Sequence, residues 1–417
     1  MTSAASARQR HPWGLLTLLV IAMTISFFDR GNLAVAAPVL APDLGLSPWA
    51  LGILLSAFFW TYSVSQIGAG WLVDRIEVRW VYAMGFALWS AATLSTGFAA
   101  TFGGLLAFRL LLGIGEAVTY PASSRILAAV FPENRRGLAN SLIDMGARLG
   151  PAAGTFCGAM LVAKIGWRGL FFIAGGAGLL WLVPWLLASP RVLVTTTTAA
   201  ATIERTGWKE LLTRRAVWGT CGGLCGANYA WYFILSWLPS YLVRERHFSL
   251  SSLAYWGALP YVCMAVSSLG GGILADRWIS RGRSPVRVRK GFLVTGLILT
   301  ALLMPTVLIP RVEWAVAGLL AMCFALGIYA SNLFSLTQTL AGPAAAGRWT
   351  GLQNACGNLA GIVSPILTGW IVNRTGQFAA AFLCAGLSCL AGAASFGFLV
   401  HAPRAVAREE KTASGKL

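Results

Sequence analysis

The sequence predicts an all-α polytopic membrane protein with twelve transmembrane helices in two six-helix halves. Hydrophobic residues make up 57% of its 417 residues and charged residues only 11%, whereas soluble proteins carry about 25% charged residues. Apolar runs of roughly 20 residues, long enough to cross a bilayer core of about 30 Å, recur along the chain. The twelve predicted spans are 13–36, 49–72, 80–99, 102–128, 138–163, 168–188, 215–242, 251–274, 290–309, 314–340, 347–372 and 378–400.

The net charge of +18 follows membrane topology. With the N-terminus placed in the cytoplasm, 22 Lys and Arg residues fall in cytoplasmic segments and six fall on the outer side. Because cytoplasmic loops carry an excess of Lys and Arg, we expect both termini in the cytoplasm and a bacterial inner-membrane location. The lipid bilayer is then the expected surrounding of the chain, and the same distribution argues against a nucleic-acid partner.

An eight-residue element occurs twice, at an offset of six spans. GAGWLVDR (Gly68–Arg75) closes the second span and GGGILADR (Gly270–Arg277) closes the eighth. A repeat with this offset predicts two halves of the same orientation. We therefore expect an N-terminal six-helix half over 1–188, a cytoplasmic linker over 189–214, a C-terminal six-helix half over 215–400 and a disordered cytoplasmic tail over 401–417.

The paired loops, the twelve spans and the central linker together resemble the major facilitator superfamily over essentially the whole chain. The resemblance implies the major facilitator fold and transport by alternating access, with two G-x-L-x-D-R loops that gate the inward-open state. In the first loop Glu77 or Val78 stands where the usual pattern has its second glycine. The residues implied in gating are Gly70, Asp74, Arg75, Gly272, Asp276 and Arg277.

Seven formal charges lie inside the predicted spans, all of them in the first half. Each costs about 2.5–3.5 kcal/mol at the centre of a membrane helix, so each needs a partner or a water-filled cavity. The second half offers only neutral polar groups at depth, among them Tyr229, Asn354 and Asn358. The seven charged residues are Asp29, Arg30, Arg109, Glu116, Arg125, Asp144 and Arg148.

Helical spacing predicts how these charges are arranged. Asp29 and Arg30 are adjacent and point about 100° apart, so they do not neutralise each other and each needs a partner elsewhere. Arg109 and Glu116 are seven residues apart and share a helix face. Counted from the outer helix ends, Arg30 and Arg109 lie at nearly the same depth, and Glu116 lies about 10 Å further in. Arg125 lies near a helix end, where it can snorkel.

Two arginines at one depth predict a carboxylate-binding site, because guanidinium groups stay charged and bind carboxylates bidentately. Asp29 and Glu116 are natural proton carriers beside them, since desolvation favours a neutral carboxyl group whereas a nearby arginine favours the charged one. With Asp144 and Arg148, which can pair at i, i+4, the deep set holds three acids and three arginines. Protonation of the two carriers then leaves excess positive charge, so proton and anion load together. The alternative is a buried ion-pair network that only holds this half rigid.

Six stretches narrow the resemblance further: FFDRGNLAVAAP, SAFFWTYSVSQIGAGWLVDR, RLLLGIGEAVTYPA, FPENRRGLANS, YFILSWLPSYL and GNLAGIVSPILTGWIV. In this order they resemble the anion:cation symporter family, which includes sialin, the vesicular glutamate transporters and bacterial permeases for galactonate, hexuronates, glucarate and phthalate. The resemblance implies proton coupling by Asp29 and Glu116 and substrate binding by Arg30 and Arg109. It also implies a cavity lined by Tyr62, Gln66, Asn354 and Asn358.

Four further residues are candidates for substrate contact. Arg148, with Ala147, stands on the fifth span where several sugar-acid permeases of that family carry a glutamine, and we expect it to add a third cationic contact. On the seventh span, Trp231 is placed, with Tyr232 beside it, to stack on a ligand, and Tyr229 is placed to offer a polar contact. The prediction is a proton-coupled symporter that imports an organic anion, a carboxylate such as a sugar acid, a mono- or dicarboxylate or an aromatic acid.

One pattern favours another transporter class. Gly146, Gly150, Pro151 and Gly154 follow the spacing of the fifth helix in proton-coupled drug antiporters. Small residues of this kind let helices approach closely in any membrane protein, and two deep arginines disfavour a cationic substrate. A drug or cation antiporter and a non-transporting membrane sensor of the same fold are the alternatives. No nucleophile–base pair or metal constellation indicates an enzyme.

The eight cysteines all fall within predicted spans, and no histidine or carboxylate accompanies Cys221 and Cys225 on the helix face they share. We therefore predict no disulfide framework, no metal site and no cofactor. The expected partners are a small organic anion and protons. A monomer is the default state for this fold.

Overall fold

The computed structural model describes residues 12–131, 133–189 and 208–401. Within these ranges its regular secondary structure is entirely helical, as predicted. Most of the predicted linker and almost all of the predicted tail lie outside the described residues. The helices are α1 (Pro12–Asp43), α2 (Pro48–Arg75), α3 (Val78–Thr96), α4 (Phe102–Glu116), α5 (Thr119–Val130), α6 (Glu133–Ala188), α7 (Trp208–Thr213), α8 (Arg215–Arg244), α9 (Leu250–Ser280), α10 (Pro285–Leu303), the 3-10 helix Met304–Leu308, α11 (Val312–Ala330), α12 (Leu333–Thr375) and α13 (Ala379–Leu399).

Each of the twelve predicted spans corresponds to helical structure. Eight stretches of the described residues are long and apolar enough to cross a membrane, and one of them, Leu142–Ala188, contains the sixth predicted span and most of the fifth. The second, third and seventh predicted spans correspond to α2, α3 and α8, which have 28, 19 and 30 residues. The chain is therefore consistent with twelve membrane-crossing segments.

Gly166 separates the fifth and sixth spans within the long helix α6. Its φ of 74° and ψ of 171° are not helical, and glycine adopts a positive φ readily because it has no Cβ. The turn lies between the predicted span ends at 163 and 168. The predicted break between these spans is therefore present, but it consists of the single residue Gly166 between two helical segments. In the same way, α12 continues from the end of the tenth predicted span through the eleventh.

The residue contacts divide the chain into two units. The first unit holds the described part of Met1–Thr196 together with Leu235–Ala258, and the second holds the described part of Thr197–Ile234 and of Leu259–Leu417. The end of α8 and the beginning of α9 therefore group with the first unit, whereas the sequence repeat assigns them to the C-terminal half. The division into halves at 188 and 215 stays a prediction.

Within the first unit, α1 packs closely against α6 through glycines on one face of α6. A Cβ atom on Gly150 would lie 2.5 Å from Phe27 Cβ and 2.7 Å from the Thr24 carbonyl oxygen, and one on Gly146 would lie 2.8 Å from the Val20 carbonyl oxygen. The spacing shared with drug antiporters therefore lets two backbones meet in this chain. The contact is made on the turn of α1 that immediately precedes its charged pair, so it positions that pair.

Candidate functional site

A buried ion pair joins α1 to α4 in the first unit. The Nε atom of Arg30 donates a hydrogen bond of 2.6 Å to Oε2 of Glu116, and the Ser26 hydroxyl donates one of 2.7 Å to the same oxygen. All three residues are buried. Hydrogen bonds between ionised groups are about twice as strong as neutral ones. The pair joins α1 and α4. Among the buried, described residues of the first unit, only these two helices carry both an acid and an arginine.

The local sequence explains how these side chains meet. Ser26 and Arg30 are four residues apart on α1, so they lie on one helix face. α4 ends at Glu116, and the chain resumes as α5 at Thr119. Gly113 lets α4 approach α2 closely, because a Cβ atom there would lie only 3.1 Å from the Tyr62 backbone nitrogen. The acid thus stands at the end of a helix that is pressed against its neighbour.

The predicted depths of the charged residues are wrong for Glu116. Its contact with Arg30 shows that these two residues lie at the same level, whereas the sequence count places Glu116 about 10 Å further in. The reason is that α1 continues through Pro38 and Pro42 to Asp43 instead of ending near residue 36. Arg30 then lies thirteen residues before the end of α1, matching the fourteen residues between Phe102 and Glu116. Arg109 lies only seven residues after Phe102, so the predicted equal depth of the two arginines is wrong as well.

Asp29 makes a different set of contacts from its neighbour Arg30, as the helical geometry predicts. Its Oδ1 atom accepts a hydrogen bond of 3.0 Å from Asn32 Nδ2. Its Oδ2 atom is buried and has no hydrogen-bond partner among the described residues. The carboxyl group lies close enough to Glu116 and Arg109 to sense their charges, and it faces Thr93 on α3. The two acids and two arginines therefore form one electrostatic cluster.

The two arginines share an aromatic surface on α2. The guanidinium carbon of Arg30 lies 4.9 Å from the ring centre of Phe58 and 4.6 Å from that of Tyr62, and that of Arg109 lies 5.8 Å from the ring centre of Phe58. Arg109 Nε also donates a hydrogen bond of 3.3 Å to the Leu54 carbonyl oxygen. Cation–π contacts of this kind contribute about 0.5–2 kcal/mol each. They hold both guanidinium groups on the same side of α2.

The buried cluster holds fewer charged residues than predicted, but acids and arginines are still equal in number. Arg148 and Asp144 pair through Nη2 and Oδ2 at 3.3 Å, as their spacing predicts, but their side chains are 29% and 57% exposed. They therefore do not belong to the buried set, which contains Asp29, Arg30, Arg109 and Glu116. Two acids balance two arginines there. A role for Arg148 as a third cationic contact stays a prediction.

The remaining predicted substrate contacts of the first unit lie on α2. Tyr62 is buried, and its ring stacks on Phe58 at 4.9 Å between centres as well as on the Arg30 guanidinium group. Gln66, one turn further along α2, is half-buried. Tyr62 therefore contacts a charged residue of the cluster directly, and the lining role predicted for Gln66 is not tested by these contacts.

In the second unit, the predicted contacts form a separate polar group on α8 and α12. The Tyr232 hydroxyl donates a hydrogen bond of 3.1 Å to Asn358 Oδ1, and Asn358 Nδ2 is buried without a hydrogen-bond partner among the described residues. The hydroxyl group of Tyr229 is also buried and lies within hydrogen-bonding range of Thr368 on α12. Asn354 is half-buried. Trp231 packs edge-on against the Tyr261 ring, with 5.9 Å between centres.

The first predicted gating loop lies at the end of α2. Arg75 is the last residue of that helix and is exposed, with its guanidinium carbon 4.3 Å from the ring centre of Trp71. A Cβ atom on Gly70 would meet nothing within 4 Å. The side chain of Asp74 lies outside the described part of the structure. The gating role of this loop stays a prediction.

The second predicted gating loop lies on α9, which continues to Ser280. Asp276 and Arg277 are exposed, and Asp276 is near enough to Arg289 on α10 to influence it electrostatically. A Cβ atom on Gly272 would meet nothing within 4 Å. The two loops share a sequence pattern. The gating role of the second loop stays a prediction, like that of the first.

Sequence reasoning did not single out several residues that contact the cluster. Ser26 and Asn32 hydrogen-bond to the two acids, and Phe27 and Phe58 pack on the Arg30 guanidinium group. The spacing of Ser26 and Asn32 from the charged pair, four and three residues, would have indicated both. An aromatic residue in an apolar helix carries no comparable signal. Among the described residues, no group of three His, Cys, Asp or Glu residues could hold a metal ion.

Comparisons with known proteins agree on one class of membrane protein. The sequence model of the Major Facilitator Superfamily matches residues 19–365. The chain is 30% identical to a probable galactarate/D-glucarate transporter of Escherichia coli (strain K12), with 95% of each chain covered. It is 29% identical to a D-galactonate transporter of Escherichia coli O6:H1, with 96% of this chain and 97% of the relative covered.

Two further comparisons extend this result. The chain is 30% identical to the probable anion transporter 1, chloroplastic, of Oryza sativa subsp. japonica, with 87% of this chain and 72% of the relative covered. Among solved structures, a bacterial homologue of the human lysosomal transporter Spinster, in an inward-facing and unoccupied conformation, has a TM-score of 0.76 at 20% identity, with 97% of each chain covered. The family resemblance seen in the sequence is confirmed.

Proposed function

Because the chain belongs to the Major Facilitator Superfamily of transporters, we propose that it imports an organic anion together with protons by alternating access. The observation that carries this proposal is the buried bond between Arg30 and Glu116. The proposal places the chain in a bacterial inner membrane with both termini in the cytoplasm. The excess of Lys and Arg in the segments then assigned to the cytoplasm supports this orientation.

Glu116 is bonded to Arg30, the residue that we propose binds the substrate carboxylate. Its Oε2 atom already accepts the Nε–H of Arg30 and the hydroxyl of Ser26. A proton on Glu116 removes the negative charge that holds Arg30, and the guanidinium group then turns its fork of donors to an external carboxylate. Deprotonation restores the internal pair and displaces the anion. Proton and anion are thus coupled by competition for one cation.

Asp29 supplies a second proton-binding group in the same cluster. It senses Glu116 and Arg109, so its charge affects both the other acid and the second arginine. When both acids carry a proton, the two arginines are left with two uncompensated positive charges, which favours an anion. Two protons per monovalent anion would make import electrogenic, a driving force of about 2.3 kcal/mol per 100 mV. One proton per monovalent anion would move no net charge.

The substrate class is proposed from the relatives and from the polar groups of the second unit. Two relatives are named as transporters of galactarate/D-glucarate and of D-galactonate, which are sugar acids. Asn358 Nδ2 is a buried donor without a protein partner in the described residues, and such a group suits hydrogen bonding to a hydroxyl of a sugar acid. D-galactonate and D-glucarate are therefore the first anions to test.

The experiment is uptake of radiolabelled D-galactonate and D-glucarate into proteoliposomes that contain the purified protein. We expect an inward proton gradient to accelerate uptake and to accumulate the anion above its external concentration. Asp29→Asn and Glu116→Gln should lose this driven uptake yet keep exchange of internal for external anion. Glu313→Gln, which neutralises an exposed acid at the start of α11, is the matched control and should behave as the wild type.

Three outcomes would count against the proposal or its assignment to the buried acids. If a panel of sugar acids, mono- and dicarboxylates and aromatic acids shows uptake that ignores the proton gradient, proton coupling is wrong. If none of the panel enters but cationic dyes leave preloaded vesicles when the gradient is applied, the antiporter alternative is correct. Loss of driven uptake in Glu313→Gln as well would show that the effect does not belong to the buried acids.

A further inference from the structure

A row of buried polar side chains follows the interface between α3 and the helices α4 and α5. It consists of Thr93 and Tyr82 on α3 and of Glu116, Thr119 and Ser123 on α4 and α5. In each of these side chains an oxygen atom is buried without a hydrogen-bond partner among the described residues. Buried polar groups are normally satisfied by protein or by ordered water. Thr93 lies within hydrogen-bonding range of Asp29, and Tyr82 within hydrogen-bonding range of Ser123. Glu116 Oε1 and the Thr119 hydroxyl group are left for bridging water.

The two sides of the row are in register. A Cβ atom on Gly85 would lie 2.8 Å from the Gly115 carbonyl oxygen, and one on Gly115 would lie 2.7 Å from the Trp89 backbone nitrogen. The helices therefore touch here, and residues later on α3 lie beside residues earlier on α4. At one end of the row Thr93 faces Asp29, and at the other end Tyr82 faces Ser123.

The hydroxyl groups of the row are not used within their own helices. Serine and threonine in a helix commonly donate to a carbonyl oxygen three or four residues earlier. Thr96 on α3 does so with the Ala92 carbonyl oxygen at 2.9 Å, and Thr300 on α10 does so with Gly296 at 2.7 Å. Thr93 and Ser123 make no such bond. Their hydroxyl groups are available to pass a proton along the interface.

Along α4 and α5, the residues of the row lie progressively further from Glu116. Glu116, Thr119 and Ser123 are separated by three and four residues, so they lie on one face, about 10 Å from first to last. The residues between the two helices, Ala117 and Val118, keep near-helical backbone angles. Glu116 Oε1, the oxygen that Arg30 does not bind, is the one without a partner. The row therefore begins at the free oxygen of the ion-paired acid.

An acid also lies beyond the other end of the row. Glu77 precedes α3, five residues before Tyr82, and its Oε1 atom is buried without a hydrogen-bond partner among the described residues. On the far side of Tyr82, the rings of Trp181 and Trp185 close the path with apolar surface, at 5.9 and 4.7 Å between ring centres. Glu77 lies about 8 Å from Tyr82 along α3, so this last step needs bridging water.

We propose that the α3–α4 interface conducts protons between Glu116 and Glu77 at the cytoplasmic end of α3, through Thr119, Ser123, Tyr82 and bridging water. The inference rests on the proposed proton coupling. A proton leaves Glu116 Oε1 for a water molecule, and each hydroxyl group in turn accepts one proton while it releases its own to the next acceptor. Only the two carboxyl groups change charge. The substrate does not share this route.

The charged groups differ between the Glu116 end and the Glu77 end of the row. Arg30 and Asp29 on α1 and Arg109 on α4 surround Glu116, and the Tyr82 hydroxyl group on α3 senses its charge. The charged residues next to Glu77 along the chain are Arg75, the last residue of α2, and Arg79, which donates to the Leu186 carbonyl oxygen. Substrate binding to Arg30 changes only the Glu116 end, so it controls when a proton leaves.

The test combines Tyr82→Phe with Ser123→Ala and compares two rates in proteoliposomes loaded with D-galactonate or D-glucarate, whichever the wild type transports. Proton-driven uptake should fall about tenfold, less than the loss of a direct proton donor because water still bridges part of the gap. Exchange at equal pH on both sides should stay within about twofold, because exchange requires no proton transfer through the row. Retained exchange also shows that the variant is folded.

Tyr329→Phe is the matched control, since its hydroxyl group is equally buried and unpartnered but lies on α11 in the second unit. It should leave both rates unchanged. Glu77→Gln tests the end of the row without altering the packed interface and should slow driven uptake selectively. Unchanged driven uptake in both the double variant and Glu77→Gln would overturn the inference while the proposed symport stands. A wild type without proton-driven uptake would overturn the proposed function itself.

Discussion

The carboxylate of Glu116 and the guanidinium group of Arg30 meet at 2.6 Å in the interior of the first unit. The same carboxylate oxygen accepts the Ser26 hydroxyl group, so two side chains of α1 hold one acid of α4. Removal of one partner from a buried pair leaves an uncompensated charge, which costs about 3–5 kcal/mol. An exchange of the internal acid for an external carboxylate avoids that cost, and this exchange is the basis of the proposed coupling.

Glu116→Gln should make anion binding less sensitive to pH. The glutamine keeps the shape of the side chain but carries no charge that competes for Arg30, so the arginine is free at every pH. We expect the wild type to bind D-galactonate or D-glucarate more tightly as pH falls, and the variant to show only the smaller dependence of Kd on pH that Asp29 still causes. Thermal-shift titrations of purified protein across the pH range measure this. A variant whose Kd follows pH as in the wild type would show that Glu116 is not the competitor.

Arg30→Lys should weaken anion binding by roughly ten- to hundredfold, which corresponds to the loss of about 1.5–3 kcal/mol from one charge-assisted hydrogen-bonding group. Lysine retains the positive charge but lacks the planar fork that binds a carboxylate and stacks on Phe58 and Tyr62. Arg311→Lys, a change at an exposed residue that precedes α11, is the control. Equal Kd values for Arg30→Lys and the wild type would remove Arg30 from the anion site.

Gly150→Ala should lower the melting temperature of the protein and slow transport. The added Cβ atom would lie 2.5 Å from Phe27 Cβ and 2.7 Å from the Thr24 carbonyl oxygen, so α1 must move. Overpacking of this kind costs about 1–3 kcal/mol. Gly176→Ala, on the same helix but with nothing within 4 Å of the new atom, should have no such effect. If both variants melt alike, the glycine contact does not position α1.

Asn358→Leu should discriminate between anions. The leucine keeps a similar volume but removes the amide that Tyr232 orients. A lost hydrogen bond to a substrate hydroxyl costs about 0.5–1.5 kcal/mol, so binding of D-galactonate should weaken roughly two- to tenfold. Binding of a simple monocarboxylate such as propionate, which has no hydroxyl groups, should change little. An equal loss for both anions would assign Asn358 to packing of the second unit instead.

The sequence was informative about which residues carry charge and less so about where they lie. The helical repeat alone predicts that Asp29 and Arg30 do not pair with each other, and their different partners confirm it. The depth of Glu116 depends on where α1 ends. Proline usually disfavours a helix interior, but α1 passes through Pro38 and Pro42, and the local sequence has no signal for that continuation.

Other features of the site arise only from packing between helices. The spacing of Asp144 and Arg148 predicts their pair correctly, yet nothing local to α6 shows that the pair is exposed instead of buried. Similarly, Phe58 is one of many aromatic residues in an apolar run, and its contact with two arginines depends on how α2 faces α1 and α4. The row from Thr93 to Ser123 depends on the register between α3 and α4 in the same way.

Simultaneous measurement of proton and anion entry tests the central claim most directly. Proteoliposomes that contain the pH indicator pyranine receive labelled D-galactonate or D-glucarate at equal internal and external pH. If import is coupled to protons, the interior acidifies as the anion enters, in a fixed ratio of protons to anions. Glu116→Gln should abolish this acidification. Entry of the labelled anion without any change of internal pH in the wild type would contradict proton-coupled import.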